Sequence, residues 1–293
     1  MTQRYAITRI EILVVVVVAS FAVGVVAMIL ARHRDNAQRA QCVNNLRKIG
    51  QAVHAYHDAS SADKDLRTLP PSRLADGFAT WAVLLAPYLQ NEHPLNHWEL
   101  EKSYFAQSDE VRQARLIVFF CPARQRADTL SQAGDVDAAG QNIPGALGDY
   151  ASVAADNKKN WTGPDANGAL VIAEVLERKD DQIVKWQGRT SLASLIRGES
   201  YTMLIGEKYV AADHMGDAAF GDGSLYNGAH PASFSRIAGP GYPLADAIDV
   251  PFNNNFGSWH RGICNFLMAD TSVRPMANDT SEKVLGELAR RGE

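Results

Sequence analysis

Hydrophobic residues are distributed unevenly along the chain, and their spacing changes at about residue 32. Ile12–Ala31 is a run of twenty residues without a charge, which as an α-helix would span about 30 Å, the thickness of a bilayer's hydrocarbon core. Apolar residues then recur at spacings of three and four, the period of one helical face: Cys42, Leu46, Ile49, Val53 and Tyr56.

No proline interrupts residues 7–69, and turn-forming residues begin near 58–61. The pattern therefore predicts one helix of about 75 Å, whose first half lies in lipid or a filament core and whose second half packs on a globular domain. A short coiled coil is the alternative for the second half. The apolar run is too long for a secretory signal and has no small-residue cleavage site after it, so we expect it to remain in the mature protein.

The rest of the chain alternates short apolar segments with polar, glycine-rich ones, which is typical of an α+β domain with long loops. Pro87 ends or kinks any helix in the apolar segment 78–89. Ser281 is a plausible N-cap for a final helix over 281–291, with Val284, Leu285 and Leu288 on one face. We expect a helical turn at 192–196, a short helix after Glu110, an exposed loop at 124–142, another loop at 158–167, and a long functional or surface-covering loop region at 213–257. The predicted strands are 116–120, 150–154, 169–175, 182–186, 201–205, 263–268 and 272–276.

Composition supports a globular head and argues against nucleic-acid binding. About 235 residues follow the helix, and the chain is 46% hydrophobic and 21% charged, which suits a folded domain with a core. Residues 1–50 hold seven Lys or Arg and two Asp or Glu, whereas the remainder holds 22 and 31. The mildly acidic head is not a nucleic-acid surface, while the basic segment could meet anionic lipid headgroups.

The amino terminus resembles the type IV prepilins and pseudopilins. Their start reads small residue, hydrophobic residue, Thr, Leu, Ile, Glu, and this chain has Ala6-Ile7-Thr8-Arg9-Ile10-Glu11. Ala6 replaces the usual Gly and Arg9 the usual Leu. The resemblance implies that prepilin peptidase cuts between Ala6 and Ile7 and N-methylates Ile7. Glu11 would then pair with the amino terminus of a neighbouring subunit, which would compensate a carboxylate that is costly in lipid. An uncleaved anchor is the alternative.

The same resemblance implies a single-pass protein of the inner membrane, with its amino terminus in the cytoplasm and its head in the periplasm or at the cell surface. Its implied partners are prepilin peptidase, other pilin-like subunits and the inner-membrane assembly platform. Charge alone mildly favours the opposite orientation, because Arg32, Arg34 and Arg39 follow the span while Arg4 and Arg9 precede it. Long domains translocate largely regardless of such charges.

The chain as a whole resembles the prepilin-like proteins that carry domain of unknown function 1559 (DUF1559) and end in an H-X9-DG element. His260 and Asp270 reproduce the H-X9-D spacing, and Thr271 stands where that family has Gly. Thr is β-branched and unsuited to the positive φ that Gly accepts in such a turn. The other matching segments, in order, are 41–50, 54–58, 69–71, 81–89, 121–122, 149–151 and 205–208.

This resemblance implies a pilin-like α+β fold, with a long amino-terminal transmembrane helix packed on a mainly antiparallel sheet. The predicted organisation is a leader at 1–6, the transmembrane half of the helix at 7–31, its extramembrane half at 32–60 and the head at 61–293. The function it implies is that of a structural subunit of a type II secretion or type IV pilus-like system, without enzymatic activity. An anchored ligand-binding protein that uses the loops of 213–257, or a hydrolase centred on His260, are the alternatives.

The three cysteines are not arranged as a zinc motif, because none belongs to a CxxC pair. An extracytoplasmic location permits one disulfide, and we predict Cys42–Cys121, with Cys264 left over. Three buried thiols that behave as small hydrophobes are the alternative.

Other candidate chemistry is weak. His260 and Asp270 could form a catalytic or metal pair, but a hydrogen bond of His260 within the terminal hairpin is favoured. Glu207 and Lys208 could form a structural ion pair, and His54 and Asp58 share a helix face, where a hydrogen bond is favoured over a metal. No cofactor is expected; the weak candidates for calcium are Asp213, Asp217 and Asp222.

Overall fold

The computed structural model describes residues 9–63, 66–247 and 249–292, which form one long helix and a mixed head. The helices are α1 (Arg9–Ala59), α2 (Trp81–Leu89), α3 (Asp109–Arg112), α4 (Pro231–Phe234) and α5 (Glu282–Ala289). The strands are β1 (Tyr150–Ala155), β2 (Glu174–Lys179), β3 (Gln182–Gln187), β4 (Met203–Glu207), β5 (Ser235–Ile237), β6 (Ile263–Met268) and β7 (Val273–Ala277).

The main sheet has five strands in the order β5-β1-β4-β6-β7. Three of its four pairings are antiparallel, and only β1 and β5 run parallel. A separate antiparallel hairpin joins β2 and β3. The structure confirms the predicted α+β, pilin-like fold, with a long amino-terminal helix on a mainly antiparallel head.

Helix α1 has 51 residues and changes environment along its length. The five apolar residues predicted to form one stripe (Cys42, Leu46, Ile49, Val53 and Tyr56) are all buried in the main core, where α1 packs on α2 and on β6. By contrast, the apolar stretch near the amino terminus projects from the head and is unburied. Within the described ranges, α1 is the one helix long and apolar enough to cross a membrane.

The carboxy-terminal elements follow the prediction closely. The Ser281 side chain accepts a hydrogen bond from the Val284 N–H and caps α5, and β6 and β7 form the predicted hairpin. The buried face of α5 contains Leu285 and Ala289. Val284 was expected on that face but is exposed.

Two strand predictions are wrong. Residues 117–119 form a 3₁₀ turn instead of a strand, and the spacing of three in such a turn buries Leu116 and Phe119 while Ile117 faces solvent. Residues 169–173 are not a strand either, because their backbone bonds the segment before α2: Val171 accepts from the Ser72 N–H and Ala173 donates to the Arg73 carbonyl.

Two segments predicted as loops are partly buried. Arg124, Ser131 and Asp135 of the first lie in the interior. The segment 213–257 contains α4 and β5, and most of its residues between 221 and 239 are buried. Strand β5 escapes sequence analysis because it has three residues, one of them the buried Arg236.

Candidate functional site

Four side chains from distant parts of the chain meet below the carboxy-terminal end of β4. Cys42, Cys121, Glu207 and His260 are all buried, and one ligand atom from each lies within 4.8 Å of the others. We call these four residues the Cys–Glu–His cluster. In the part of the chain that the structure describes, it is the one group of three or more His, Cys, Asp or Glu that converges in this way.

Each member is placed by a different local element. Cys42 belongs to the buried stripe of α1. Cys121 follows the 3₁₀ turn 117–119, and its N–H donates to Asp149 Oδ2 at 2.7 Å. Glu207 is the last residue of β4. His260 lies in the loop before β6, where its N–H donates to the Ser258 hydroxyl.

The distances within the cluster are short. The Cys42 and Cys121 sulfur atoms lie 2.7 Å apart and both residues are free cysteines. His260 Nε2 is 3.5 Å from the Cys121 sulfur and 3.3 Å from Glu207 Oε1. Glu207 Oε1 also lies 3.9 Å from the Cys121 sulfur. Sulfur, imidazole and carboxylate atoms therefore face one another across a small interior volume.

The β4–β6 pairing fixes the orientation of Glu207. Its Oε2 accepts from the backbone N–H of Asn265 at 2.7 Å and from the Asn265 side-chain amide at 3.0 Å. These two bonds occupy one carboxylate oxygen and leave Oε1 turned toward His260 and Cys121. The carboxylate is thus held by the sheet rather than by solvent.

The cluster shifts its own ionisation equilibria. Burial lowers the pKa of His260, but the contacts with Cys121 and Glu207 outweigh burial and raise it to about 10. The contact with Cys42, together with burial, raises the pKa of the Cys121 thiol well above its usual value. The neighbouring groups therefore favour the protonated forms of both the His260 imidazole and the Cys121 thiol.

A buried ionic network lies beside the cluster. Asp149 accepts hydrogen bonds from Arg124 and Arg126, and Arg126 also pairs with Asp222 at 2.5 Å. Lys208 pairs with Asp222 at 3.1 Å, and burial lowers the pKa of Lys208 to about 7. Because Asp149 Oδ2 also accepts from the Cys121 N–H, the network helps to hold the loop that carries Cys121.

The expected ion pair between Glu207 and Lys208 is wrong. Successive residues of an extended strand point to opposite faces of the sheet. Glu207 consequently reaches His260 and Asn265, whereas Lys208 reaches Asp222 on the other side.

A cavity of about 380 Å³ opens next to the cluster. His260 lies in its wall, together with Trp259 and with Asp35 and Arg39 of α1. The cavity lies where α1 emerges from the head, so the His260 side of the cluster is the side that solutes can approach.

The comparison with known families identifies the chain. The family described as "Protein of unknown function (DUF1559)" matches residues 31–282. The chain belongs to this family. No curated protein and no solved structure matches it.

The DUF1559 assignment and the apolar half of α1 together fit a membrane-anchored extracytoplasmic protein. The predicted cleavage and methylation residues, Ala6 and Ile7, lie outside the described residues. Glu11 belongs to α1, but its side chain lies outside what the structure describes. Prepilin processing therefore stays a prediction.

His260 and Asp270, the two residues that resemble the H-X9-D part of the DUF1559 element, have separate partners. His260 contacts Cys121 and Glu207, so the favoured hydrogen bond within the terminal hairpin is wrong. Asp270 lies in the β6–β7 turn and accepts from the Ser272 N–H and hydroxyl. The element joins one residue of the cluster to one residue of a turn.

The end of α1 carries hydrogen bonds in place of a metal site. His54 Nε2 lies 2.6 Å from the carbonyl oxygen of Ala269. Asp58 pairs with Arg67 at 2.9 Å. Both contacts fix the end of α1 to the head, as the favoured interpretation of this helix face predicted.

The three aspartates considered for calcium do not converge. Asp213 is exposed, Asp217 caps a 3₁₀ turn through the Ala219 N–H, and Asp222 is buried between Arg126 and Lys208. Two cations already neutralise Asp222, which leaves it a poor ligand for a further cation.

Sequence spacing could not reveal the cluster as a unit. Cys42 and Cys121 are 79 positions apart, and Cys121 and His260 are 139 positions apart, so no local motif links them. The available signal was distributed: each member falls in a different segment that resembles the DUF1559 pattern. Segments that each supply one ligand-type residue are worth testing as one site.

Proposed function

We propose that this DUF1559 protein is a pseudopilin-like structural subunit of a type II secretion or type IV pilus-like system. The carrying observation is the division of α1, whose amino-terminal half is apolar and exposed while its carboxy-terminal half is built into the head core. The protein acts by packing against lipid and other subunits, without an enzymatic reaction of its own.

The exposed half of α1 needs a second apolar environment. Phe21 is 75% exposed and Val23 is 69% exposed, and burial of such a side chain is worth about 1.5–3 kcal/mol. Summed over the apolar run, the gain from entering a bilayer or a bundle of like helices is large. A bilayer supplies that environment before assembly, and neighbouring α1 helices supply it within a filament.

The buried half of α1 transmits force between that environment and the head. Leu46, Ile49 and Val53 are fully buried, and His54 bonds the terminal hairpin. Because the helix is continuous through Arg9–Ala59, a pull on the membrane half acts directly on the head core. This rigid coupling is what a subunit extracted from a membrane into a filament requires.

The resemblance of the amino-terminal sequence to prepilins indicates how the protein would be processed and what it would bind. Prepilin peptidase would release the leader and methylate Ile7, and the new amino terminus would pair with Glu11 of a neighbouring subunit. The amino terminus would face the cytoplasm and the head would be extracytoplasmic. The assembly platform of the inner membrane and other pilin-like subunits are the remaining partners.

Photocrosslinking from α1 tests this proposal. A photoreactive phenylalanine analogue in place of Phe21 should crosslink the protein to a second copy or to another pilin-like subunit in native membranes, and sheared surface material should contain the product. Glu11→Ala should leave the protein in the membrane but reduce that crosslink by about tenfold, because pairing between subunits is lost. The same analogue in place of Tyr201, an exposed position on the head, controls for random collisions.

A crosslink from position 21 to lipid alone, with all protein left in membranes after shearing, would instead support an anchored ligand-binding protein. Most of residues 221–239 lie in the interior, so that alternative would have to use the exposed remainder of the segment. Pro243, Val250 and Asn255 there line a cavity of about 430 Å³.

A further inference from the structure

The Cys–Glu–His cluster consists of four side chains of types that bind zinc in proteins. We propose that Cys42, Cys121, Glu207 and His260 bind one Zn²⁺ ion, which fastens α1 to the head. Two thiolates, one imidazole and one carboxylate are ligands that zinc prefers, and four protein ligands make the closed, tetrahedral type of site. The proposal concerns the cohesion of the protein and is independent of whether it assembles.

The distances among three of the four ligand atoms lie close to those of tetrahedral coordination. Bonds of about 2.0 Å to nitrogen or oxygen and about 2.3 Å to sulfur place ligand atoms about 3.3–3.8 Å apart. Glu207 Oε1 and His260 Nε2 lie 3.3 Å apart, and the Cys121 sulfur lies 3.5 Å from His260 Nε2 and 3.9 Å from Glu207 Oε1.

The two sulfur atoms are too close together for a shared zinc ion. At 2.7 Å they are closer than two thiolates on one zinc ion, about 3.8 Å, and farther apart than the about 2.05 Å of a disulfide bond. Zinc binding requires a separation of about 1 Å, which rotation of the two side chains can supply. A disulfide would bring them closer and would leave Glu207 and His260 without a role at the sulfur atoms.

The surroundings of Glu207 favour a metal. The carboxylate is 1% exposed, and the adjacent His260 imidazole is the group that compensates its charge when no metal is bound. The Asn265 N–H groups fix Oε2 and direct Oε1 at the centre of the cluster, as outer partners orient the ligands of metal sites. A zinc ion would take over the positive charge at that centre, and its binding would release the two thiol protons and the proton that His260 holds beside Glu207.

The site would join four segments that lie far apart in sequence. Cys42 is on α1, Cys121 precedes the loop that the ionic network holds, Glu207 ends β4, and His260 precedes β6. Because His260 lines the 380 Å³ cavity beside α1, an ion can reach the cluster from that side. Zinc would therefore reinforce the junction at which the exposed half of α1 leaves the head.

The test uses the full-length protein in detergent, reduced and freed of metal with a chelator under anaerobic conditions, then titrated with Zn²⁺ against a competing chromophoric chelator. We expect one equivalent to bind, and Co²⁺ in its place to give the absorption of a tetrahedral site with a thiolate-to-cobalt band. Cys42→Ser and His260→Ala should weaken Zn²⁺ binding by at least about 100-fold, since loss of a direct ligand should exceed the 10–100-fold that loss of an outer partner costs. Cys264→Ser is the matched control, because Cys264 is fully buried and its sulfur bonds the Glu207 carbonyl instead of pointing into the cluster. This variant should bind zinc as tightly as the unmodified protein does.

Three results would overturn the zinc site. The first is that reduced protein, shown to be folded by near-ultraviolet circular dichroism, fails to bind one equivalent of Zn²⁺. The second is that Cys42→Ser binds Zn²⁺ as tightly as Cys264→Ser. The third is that protein from native membranes contains no zinc and has a mass two hydrogens lower, with Cys42 and Cys121 recovered as one disulfide-linked peptide pair. The first and third results are measured on the unmodified protein, so the proposal can still be tested if a variant fails to fold.

Discussion

Thr271, in the turn between β6 and β7, lies directly against Gly50 of α1. A Cβ atom on Gly50 would come within 3.4 Å of both Cα and Cβ of Thr271, and within 2.7 Å of a Leu267 methyl group. His54, one helical turn further along, bonds the carbonyl of Ala269 in the same turn. The β6–β7 turn, which ends the DUF1559 element, is therefore part of the surface of the head on which the membrane-anchoring helix α1 packs.

Thr271→Gly should stabilise the head. Thr271 has φ of 66°, a left-handed conformation that costs a side chain with a Cβ about 1–2 kcal/mol, and Gly recovers most of this despite the larger entropy of its unfolded chain. We expect a net gain of about 1 kcal/mol, or about 2–4 °C in Tm for a domain of this size. Thermal unfolding in detergent measures the change.

Thr280→Gly is the matched control for that substitution. Thr280 follows β7 with an ordinary negative φ, so the same change there should only lower Tm. A Tm for Thr271→Gly at or below that of the unmodified protein would show that the turn is not strained.

Loss of the His54 contact should weaken the packing of α1 on the β6–β7 turn. His54→Ala removes the 2.6 Å contact with the Ala269 carbonyl, and an unmade hydrogen bond of this kind costs about 1 kcal/mol. Hydrogen exchange at the β6–β7 turn should rise, as measured by mass spectrometry. His33→Ala, at an exposed position of the same helix, should leave exchange at the turn unchanged, and equal exchange in the two variants would contradict the assigned role.

Asp222 should govern the acid stability of the head. Burial alone would raise the pKa of Asp222, but Arg126 and Lys208 outweigh burial and hold it well below its usual value. Since the folded pKa lies below the unfolded one, this stabilisation is complete above the pKa of the unfolded carboxyl, about 3.9, and is lost as pH falls below it. Denaturation curves measured between neutral pH and pH 2 should show the loss.

Asp222→Asn should remove that acid dependence at a high cost at neutral pH. Lys208 would then be buried without a carboxylate partner, which costs about 3–5 kcal/mol, while Arg126 would keep its pairing with Asp149. Asp213→Asn, at an exposed position of the same segment, should alter neither stability nor its slope with pH. If Asp222→Asn kept the full loss of stability in acid, other carboxylates would carry the effect.

A charge in the exposed half of α1 should disturb membrane insertion. Val23→Asp places a carboxylate near the middle of the apolar run, where insertion costs about 2.5–3.5 kcal/mol more. A larger fraction should then be extracted by alkaline carbonate. Val284→Asp, on the exposed side of α5, should remain with the membranes, and identical extraction of the two variants would show that the apolar run is not the anchor.

Long periodic features were predictable from sequence, whereas short and distributed ones were not. The stripe from Cys42 to Tyr56 was predictable because a helical period repeated over four turns leaves few alternatives. The β6–β7 hairpin was predictable because two short apolar segments flank the turn-forming residues 269–271. Strand β5 was not predictable, because three residues are too few to show a period and because the charged Arg236 gives no sign that the strand is buried.

The Cys–Glu–His cluster illustrates the second limit. Cys42 and Cys121 could be named as neighbours in space, and their sulfur atoms do meet. Glu207 and His260 could not be added, because their convergence depends on the register of β4 against β6 and on the path of the loop before β6. Such contacts are set by the complete tertiary structure and have no local signature in sequence.

The most direct test of the proposed subunit role is the intact mass and amino-terminal sequence of the protein taken from its native membrane. Processing as a pilin-like subunit predicts a chain that begins at N-methylated Ile7, with the residues through Ala6 removed. A chain that still begins at Met1 would contradict prepilin processing and leave α1 as a fixed anchor for the head.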